Sequence, residues 1–225
     1  MPNIFVWISA ELYAADIAVH LTAVAKKNER LRRTTKVLLM PLLALTFLLA
    51  WLSVTAAALP VLVIAGLLMG FAGDTALLSH HSRIGLPLGL ASFAAGHVLY
   101  TIQIWKAAHL PAWWVILVLV LAYGACVARM YVKLFPYLPK AFRIPALSYM
   151  MLISTLSLSA ASAAIASFSI GAGLLLLGTL LFMLSDGILS FEMFRSETKS
   201  SHLRVMVPYL AGQTLIASGF LLSLA

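Results

Sequence analysis

Residues 59–79 read LPVLVIAGLLMGFAGDTALLS, with no basic residue, one acid at Asp74, and Pro60 near the start, where a missing amide donor costs a helix little. A hydrocarbon core about 30 Å thick takes roughly 20 apolar residues as a helix, so this stretch reads as a membrane span. Seven further stretches meet or approach that length, at 4–25, 35–52, 84–105, 111–128, 144–165, 169–191 and 203–224. Pro87, Pro111 and Pro145 also stand near span starts, and Pro41 and Pro208 are placed in the first turns of theirs. The whole 225-residue chain is 63% hydrophobic and 10% charged, with a mean hydropathy of +1.03, too little polar material for a water-exposed surface. The expected fold class is all-α, a polytopic integral membrane protein of eight transmembrane helices forming a single transmembrane domain over 1–225.

The net charge of +8 would suggest nucleic acid in a soluble protein; here its placement says otherwise. Lys26, Lys27, Arg30, Arg32, Arg33 and Lys36 follow the first span and Arg83 the third. Arg129, Lys133, Lys140 and Arg143 follow the fifth, and Arg195, Lys199 and Arg204 the seventh. Fourteen of fifteen basic residues thus share one side, with Lys106 alone on the other. Basic connections stay cytoplasmic, so both termini are expected on the non-cytoplasmic side, and no nucleic-acid partner is expected. The first span is not expected to be a cleaved leader, because it lacks a basic start and Glu11 and Asp16 interrupt it. The short connections suit a bacterial inner (cytoplasmic) membrane. Cys126, the single cysteine, lies in an apolar stretch and reads as a small core residue, which excludes a disulfide framework.

Four spans return a chain to its starting side, so a 4+4 duplication would give two parallel halves, 1–108 and 109–225. Gly73-Asp74-Thr75-Ala76-Leu77-Leu78-Ser79 and Ser185-Asp186-Gly187-Ile188-Leu189-Ser190 match at an offset of 112 residues. Ala95-Gly96-His97-Val98-Leu99 and Ala211-Gly212-Gln213-Thr214-Leu215 match at 116, and Tyr13-Ala14-Ala15 and Tyr123-Gly124-Ala125 at 110. Such matches also arise by chance where few residue types are used, and the repeated Asp is the least easily dismissed. Under duplication, Asp74 and Asp186 would lie at similar depth on opposite sides of a central cavity.

An acid at a helix centre costs about 2.5–3.5 kcal/mol to insert, so each needs a partner or a wet cavity. Asp16 and His20, four apart, share a helix face with Tyr13, while Glu11 points toward the outer interface. At about 1.5 Å per residue from the cytoplasmic ends, Asp74 and Asp186 lie roughly 6–8 Å deep, Asp16 and Gln213 about 15 Å, and His97 about 20 Å. These depths outline a polar cavity opening to the cytoplasm, rimmed by Arg33, Lys36, Arg83 and Arg143. Plainer readings stand beside each candidate. Either Asp serves as an ion-pair tie between helices, His97 as a packing histidine, Tyr100, Tyr149, Tyr209 and Gln213 as interhelical glue, and Arg33 and Lys36 as topology signals. Ser148, Ser154, Ser157, Ser159 and Ser162 read as small packing residues. His80 and His81 read as solvated turn residues without further ligands at metal spacing, and no metal or cofactor is expected.

Several motifs together resemble a known family. Thr35-Lys36 with Met40-Pro41-Leu42-Leu43, Phe71-Ala72-Gly73-Asp74-Thr75-Ala76-Leu77-Leu78, and Phe93-Ala94-Ala95-Gly96-His97-Val98-Leu99-Tyr100 are similar to the YhhN-like lysoplasmalogenase family. So are Tyr149, Ser185-Asp186 with Phe194, and Tyr209-Leu210-Ala211-Gly212-Gln213-Thr214-Leu215-Ile216, in the same order along residues 20–220. Val37 departs from the pattern, which often has proline after the lysine. The resemblance implies a membrane ether hydrolase of lipid metabolism. Its substrate would be a lysophospholipid, a lysoplasmalogen, whose vinyl ether bond it cleaves to a fatty aldehyde and glycerophosphocholine or glycerophosphoethanolamine.

Vinyl ether hydrolysis begins with proton transfer to the alkenyl carbon, which needs a carboxylic acid that keeps its proton near neutral pH. A second, ionised carboxylate stabilises the oxocarbenium ion and activates water, as in two-carboxylate glycoside hydrolysis. The expected catalytic residues are Asp74 as donor, Asp186 as stabiliser and His97 as water orienter or proton relay. Lys36 and Arg33 are expected at the lipid phosphate, and Tyr100, Tyr149, Tyr209 and Gln213 at the substrate, the tyrosines facing the head-group cation. The alternative is a proton-coupled small-molecule transporter using the same acids and His97 as a relay. Oligomeric state is not legible in these residues.

Overall fold

The computed structural model of the chain describes residues 3–78, 84–107, 110–195 and 202–224. Eight helices, each long and apolar enough to cross a membrane, account for nearly all of them: α1 Ile4–Ala25, α2 Glu29–Val54, α3 Val61–Leu78, α4 Gly85–Ala107, α5 Trp113–Leu134, α6 Arg143–Ser167, α7 Ile170–Arg195 and α8 Leu203–Leu224. No strand occurs among the described residues. Ser79, His80, His81, Arg83 and Lys199, named above, fall outside the described residues.

Three helices outrun their apolar stretches. α2 starts at Glu29, six residues before the expected 35, because the Asn28 side chain accepts from Leu31 N–H and Glu29 bridges Arg32 at 2.6 Å. α5 runs on to Leu134 and α7 to Arg195. Two expectations are corrected. Pro41 lies inside α2 rather than in its first turn, and has no N–H to offer the Val37 carbonyl; Pro208 lies inside α8, beyond the first turn. Lys36 is therefore a helical residue, followed within a turn or so by a weakened stretch of backbone.

The chain divides into two compact units, 1–103 with 220–225 and 104–219. In the first, α1 packs on α2 and α2 on α3. Leu39, Met40, Leu43, Phe47 and Trp51 carry the buried face of α2, with Phe47 and Trp51 stacked at 6.3 Å. Tyr100 of α4 lies over Gly66 of α3 and meets Phe220 at 5.5 Å. α1 closes on a left-handed residue, Lys27 (φ 54°), with Asn28 N–H to Ala23 O at 2.9 Å and Lys27 N–H to Val24 O at 3.2 Å. This paired closure satisfies carbonyls that the helix end would leave bare.

In the second unit α6 packs on α7 and α5 leans on both. α7 and α8 approach backbone to backbone: a Cβ on Gly212 would lie 2.9 Å from Gly178 O, and one on Gly219 would lie 2.8 Å from Gly171 O. Small residues at such crossings let membrane helices gain close van der Waals contact, there being no water to expel. By contrast α5 buries only Leu134. Cys126, expected in a core, is exposed on α5, in keeping with a helix that buries only Leu134.

Candidate functional site

In the first unit the polar residues converge along three helices. Tyr13, Asp16 and His20 are buried on one face of α1, while Glu11 is exposed. His20 Nδ1 lies 2.8 Å from Thr35 Oγ1 on α2, and the Thr35 hydroxyl donates to Leu31 O at 2.7 Å. With that proton committed, Thr35 accepts from His20 Nδ1–H, which leaves Nε2 of a neutral ring as an acceptor. His20 Nε2 and Asp16 Oδ2 are buried without a hydrogen-bond partner among the described residues.

One residue further along α2, Lys36 Nζ sits 3.2 Å from Asp74 Oδ1 on α3. Side-chain exposures of 12% and 3% make this a buried ion pair, in which each charge offsets the other's cost of leaving water. Lys36, expected at a lipid phosphate, thus reaches inward to an acid thirty-eight positions away. Arg33, one turn earlier, is exposed. On α4 His97 and Tyr100 are almost fully buried, and the His97 carbonyl accepts from the Thr101 hydroxyl at 2.8 Å.

The second unit has its own aspartate. Asp186 of α7 accepts a short hydrogen bond from the Tyr149 hydroxyl of α6. Both line a cavity of about 30 Å³, room for about one water, with Ser154, Cys126 and Ser190 among its walls. Next to Asp186, Ser185 donates to Val205 O at 2.9 Å and ties α7 to α8. Tyr209 and Gln213 of α8 are buried, Tyr209 edge-on to Phe182 at 5.4 Å. Arg143 at the start of α6 stacks over the Phe135 ring at 4.2 Å. Within the units, therefore, Lys36 meets Asp74 and Tyr149 meets Asp186.

Two features escaped sequence reasoning. The Thr35 contact of His20 joins residues fifteen positions apart, and only the shared polar character of two neighbouring spans hinted at it. Ser154 could not be told from its neighbours by type. Thr155, Ser159 and Ser167 return their hydroxyls to carbonyls four residues back on α6, at 2.9, 2.7 and 2.8 Å. The Ser154 hydroxyl is buried without a hydrogen-bond partner among the described residues.

Residues 31–220 match the model of the YhhN family. No curated protein and no solved structure matches the chain.

Proposed function

From the premise that the chain belongs to the YhhN family, we propose that it is a membrane hydrolase that cleaves the vinyl ether bond of lysoplasmalogens. The products are a fatty aldehyde and a glycerophospho-head group. The observation that carries this reading is a pair of intramembrane aspartates in unlike settings, Asp74 against Lys36 and Asp186 against Tyr149 beside a water-sized cavity. Acid chemistry on an alkenyl ether needs two carboxyl groups with different duties.

The Lys36 ammonium suits Asp74 to the charged duty, which leaves proton donation to Asp186, the reverse of the assignment drawn from sequence. Asp186 gives its proton to the alkenyl carbon next to the chain, and the ether oxygen shares its lone pair to form an oxocarbenium ion. Asp74, held as a carboxylate beside Lys36, is proposed for the stabilising duty. The carboxylate now on Asp186 takes a proton from water as its oxygen adds to the cationic carbon. In the resulting hemiacetal the bond between the acetal carbon and the glycerol oxygen breaks as the hemiacetal hydroxyl proton is passed to that oxygen, giving aldehyde and a free glycerol hydroxyl with Asp186 again protonated. His97 relays or orients. Arg33, exposed at the basic end of α2, is left for the lipid phosphate, with Tyr100, Tyr149, Tyr209 and Gln213 as polar contacts.

Purified protein in micelles should release aldehyde from lysoplasmalogen and nothing from the ester-linked analogue. Asp186→Asn should lower turnover by about 10²–10⁴-fold, the usual share of a general acid. An active Asp74→Asn, Asp186→Asn double variant with normal elution from a sizing column would reject the mechanism. The second reading, a proton-coupled carrier, is favoured by the buried Asp16, His20, Lys36 and Asp74 of the first unit, which exceed what hydrolysis requires. It predicts pH-gradient-dependent uptake in sealed vesicles and no aldehyde.

A further inference from the structure

Between α5 and α6 runs a groove of about 470 Å³ lined by Val120, Gly124, Val132, Leu147, Thr155 and Leu158, among others. It lies wholly within two membrane spans, its lining is mostly apolar, and α5 buries only Leu134, so a hydrocarbon chain suits it better than water. Val127 and Ser154 belong to its wall and also to the wall of the Asp186 cavity. An apolar slot and a carboxyl-lined, water-sized hole therefore share one partition. The partition carries Ser154, 5% exposed, whose hydroxyl has no hydrogen-bond partner among the described residues. The groove's volume is in the range of small-molecule sites.

Resting on the hydrolase reading above, we infer that the α5–α6 groove receives the hydrocarbon chain of a single-chain lipid and that Ser154, at its inner end, positions the water beside Asp186. A buried water wants two to four polar partners. Asp186, Tyr149 and Ser154 supply three from one cavity wall. The chain enters sideways from the bilayer, and its head end arrives where the acid and the water stand.

Gly124 offers a clean test, because a Cβ there would meet nothing within 4 Å. Gly124→Leu projects a side chain into the groove from a Cβ position with open space around it and replaces a weak helix former, so the variant should fold at least as well. Long-chain lysoplasmalogen should lose about tenfold or more in kcat/KM and a short-chain one less than about twofold. Ser154→Ala should lower kcat about tenfold with KM unchanged, the mark of a positioning residue and not of a packing one. Unchanged chain-length preference in Gly124→Leu, or unchanged kcat in Ser154→Ala, overturns the inference.

An arm independent of turnover uses an alkyl-ether lysolipid, which cannot be hydrolysed by this route, with a diazirine at its chain end. Irradiation should label α5 and α6 residues of the groove, and excess unlabelled alkyl-ether lysolipid, but not diacyl phosphatidylcholine, should displace it. Labelling of other spans only, or labelling that both lipids or neither displace, overturns the groove while leaving aldehyde release intact. Competed labelling in the groove with no aldehyde from wild-type protein sustains the chain site and removes the hydrolase reading. Oxidative cross-linking of exposed Cys126 between copies would place a second chain on the α5 face, and this too overturns the inference.

Discussion

The α3–α4 pair of the first unit and the α7–α8 pair of the second cross in the same register yet give their aspartates different company. Gly66 and Gly178 are separated by the 112 residues that separate Asp74 from Asp186, and Gly96 and Gly212 by the 116 that separate His97 from Gln213. A Cβ on Gly96 would face Gly66 O at 3.1 Å, and one on Gly212 would face Gly178 O at 2.9 Å. One turn on, Gly66 lies under Tyr100 and Gly178 against Ile216, again 116 apart. Nearer the basic ends, a Cβ on Gly89 would lie 3.4 Å from Gly73 O, where the corresponding Val205 O accepts from the Ser185 hydroxyl. The crossing is common to both, while the acid's partner is a lysine in one and a tyrosine in the other. Geometry repeats where backbones touch, and chemistry diverges where a side chain from a third helix arrives.

The partners offer the widest test of that contrast. Lys36→Met should destabilise the protein by about 3–5 kcal/mol in detergent unfolding, since it strands a buried carboxylate, and adding Asp74→Leu should recover much of the loss. Tyr149→Phe removes one hydrogen bond to a protonated carboxyl group and should cost only about 0.5–1.5 kcal/mol. Equal losses at the two sites would mean that the settings do not differ as the contacts say.

What the sequence disclosed follows from the same physics. The eight spans were legible because hydrocarbon tolerates so few residue types, and the two aspartates because acids there are costly. Helix ends were not, since α2 is carried past its apolar run by the Asn28 cap and the Glu29–Arg32 pair, local devices that hydropathy ignores. The Lys36–Asp74 pair was hidden because a basic residue near a span end serves topology equally well. The α5–α6 groove was invisible for a different reason: residues facing a slot and residues facing bulk lipid are the same Val, Leu and Gly. Only packing separates them.

The crossings give a smaller effect. Gly212→Ala drives a methyl to 2.9 Å from one backbone atom and 3.1 Å from another, Phe182 N, neither of which can swing aside. Overpacking of this kind costs about 1–3 kcal/mol. Gly96→Ala, at 3.1 Å from Gly66 O and 3.4 Å from Met69 Cβ, should cost less, because the second neighbour is a side chain. Thermal unfolding of both variants in one detergent would rank them, and the reverse order would break the shared register down into coincidence of spacing.

The least effect is expected at the two turns that hold a side chain in left-handed backbone, Lys27 (φ 54°) after α1 and Phe168 (φ 48°) after α6. An L side chain there costs about 1–2 kcal/mol relative to glycine, which takes that conformation freely. Part of the gain from a glycine returns as entropy of the unfolded chain, so Lys27→Gly should stabilise by well under 1 kcal/mol. Phe168→Gly begins with the same relief but also removes an apolar ring that is 89% exposed at a span end, where its transfer from water into the bilayer is favourable. In detergent the two substitutions should look alike. In lipid bilayers Phe168→Gly should lose its advantage while Lys27→Gly keeps it, and a persistent gain for Phe168→Gly in bilayers would show that this ring anchors nothing.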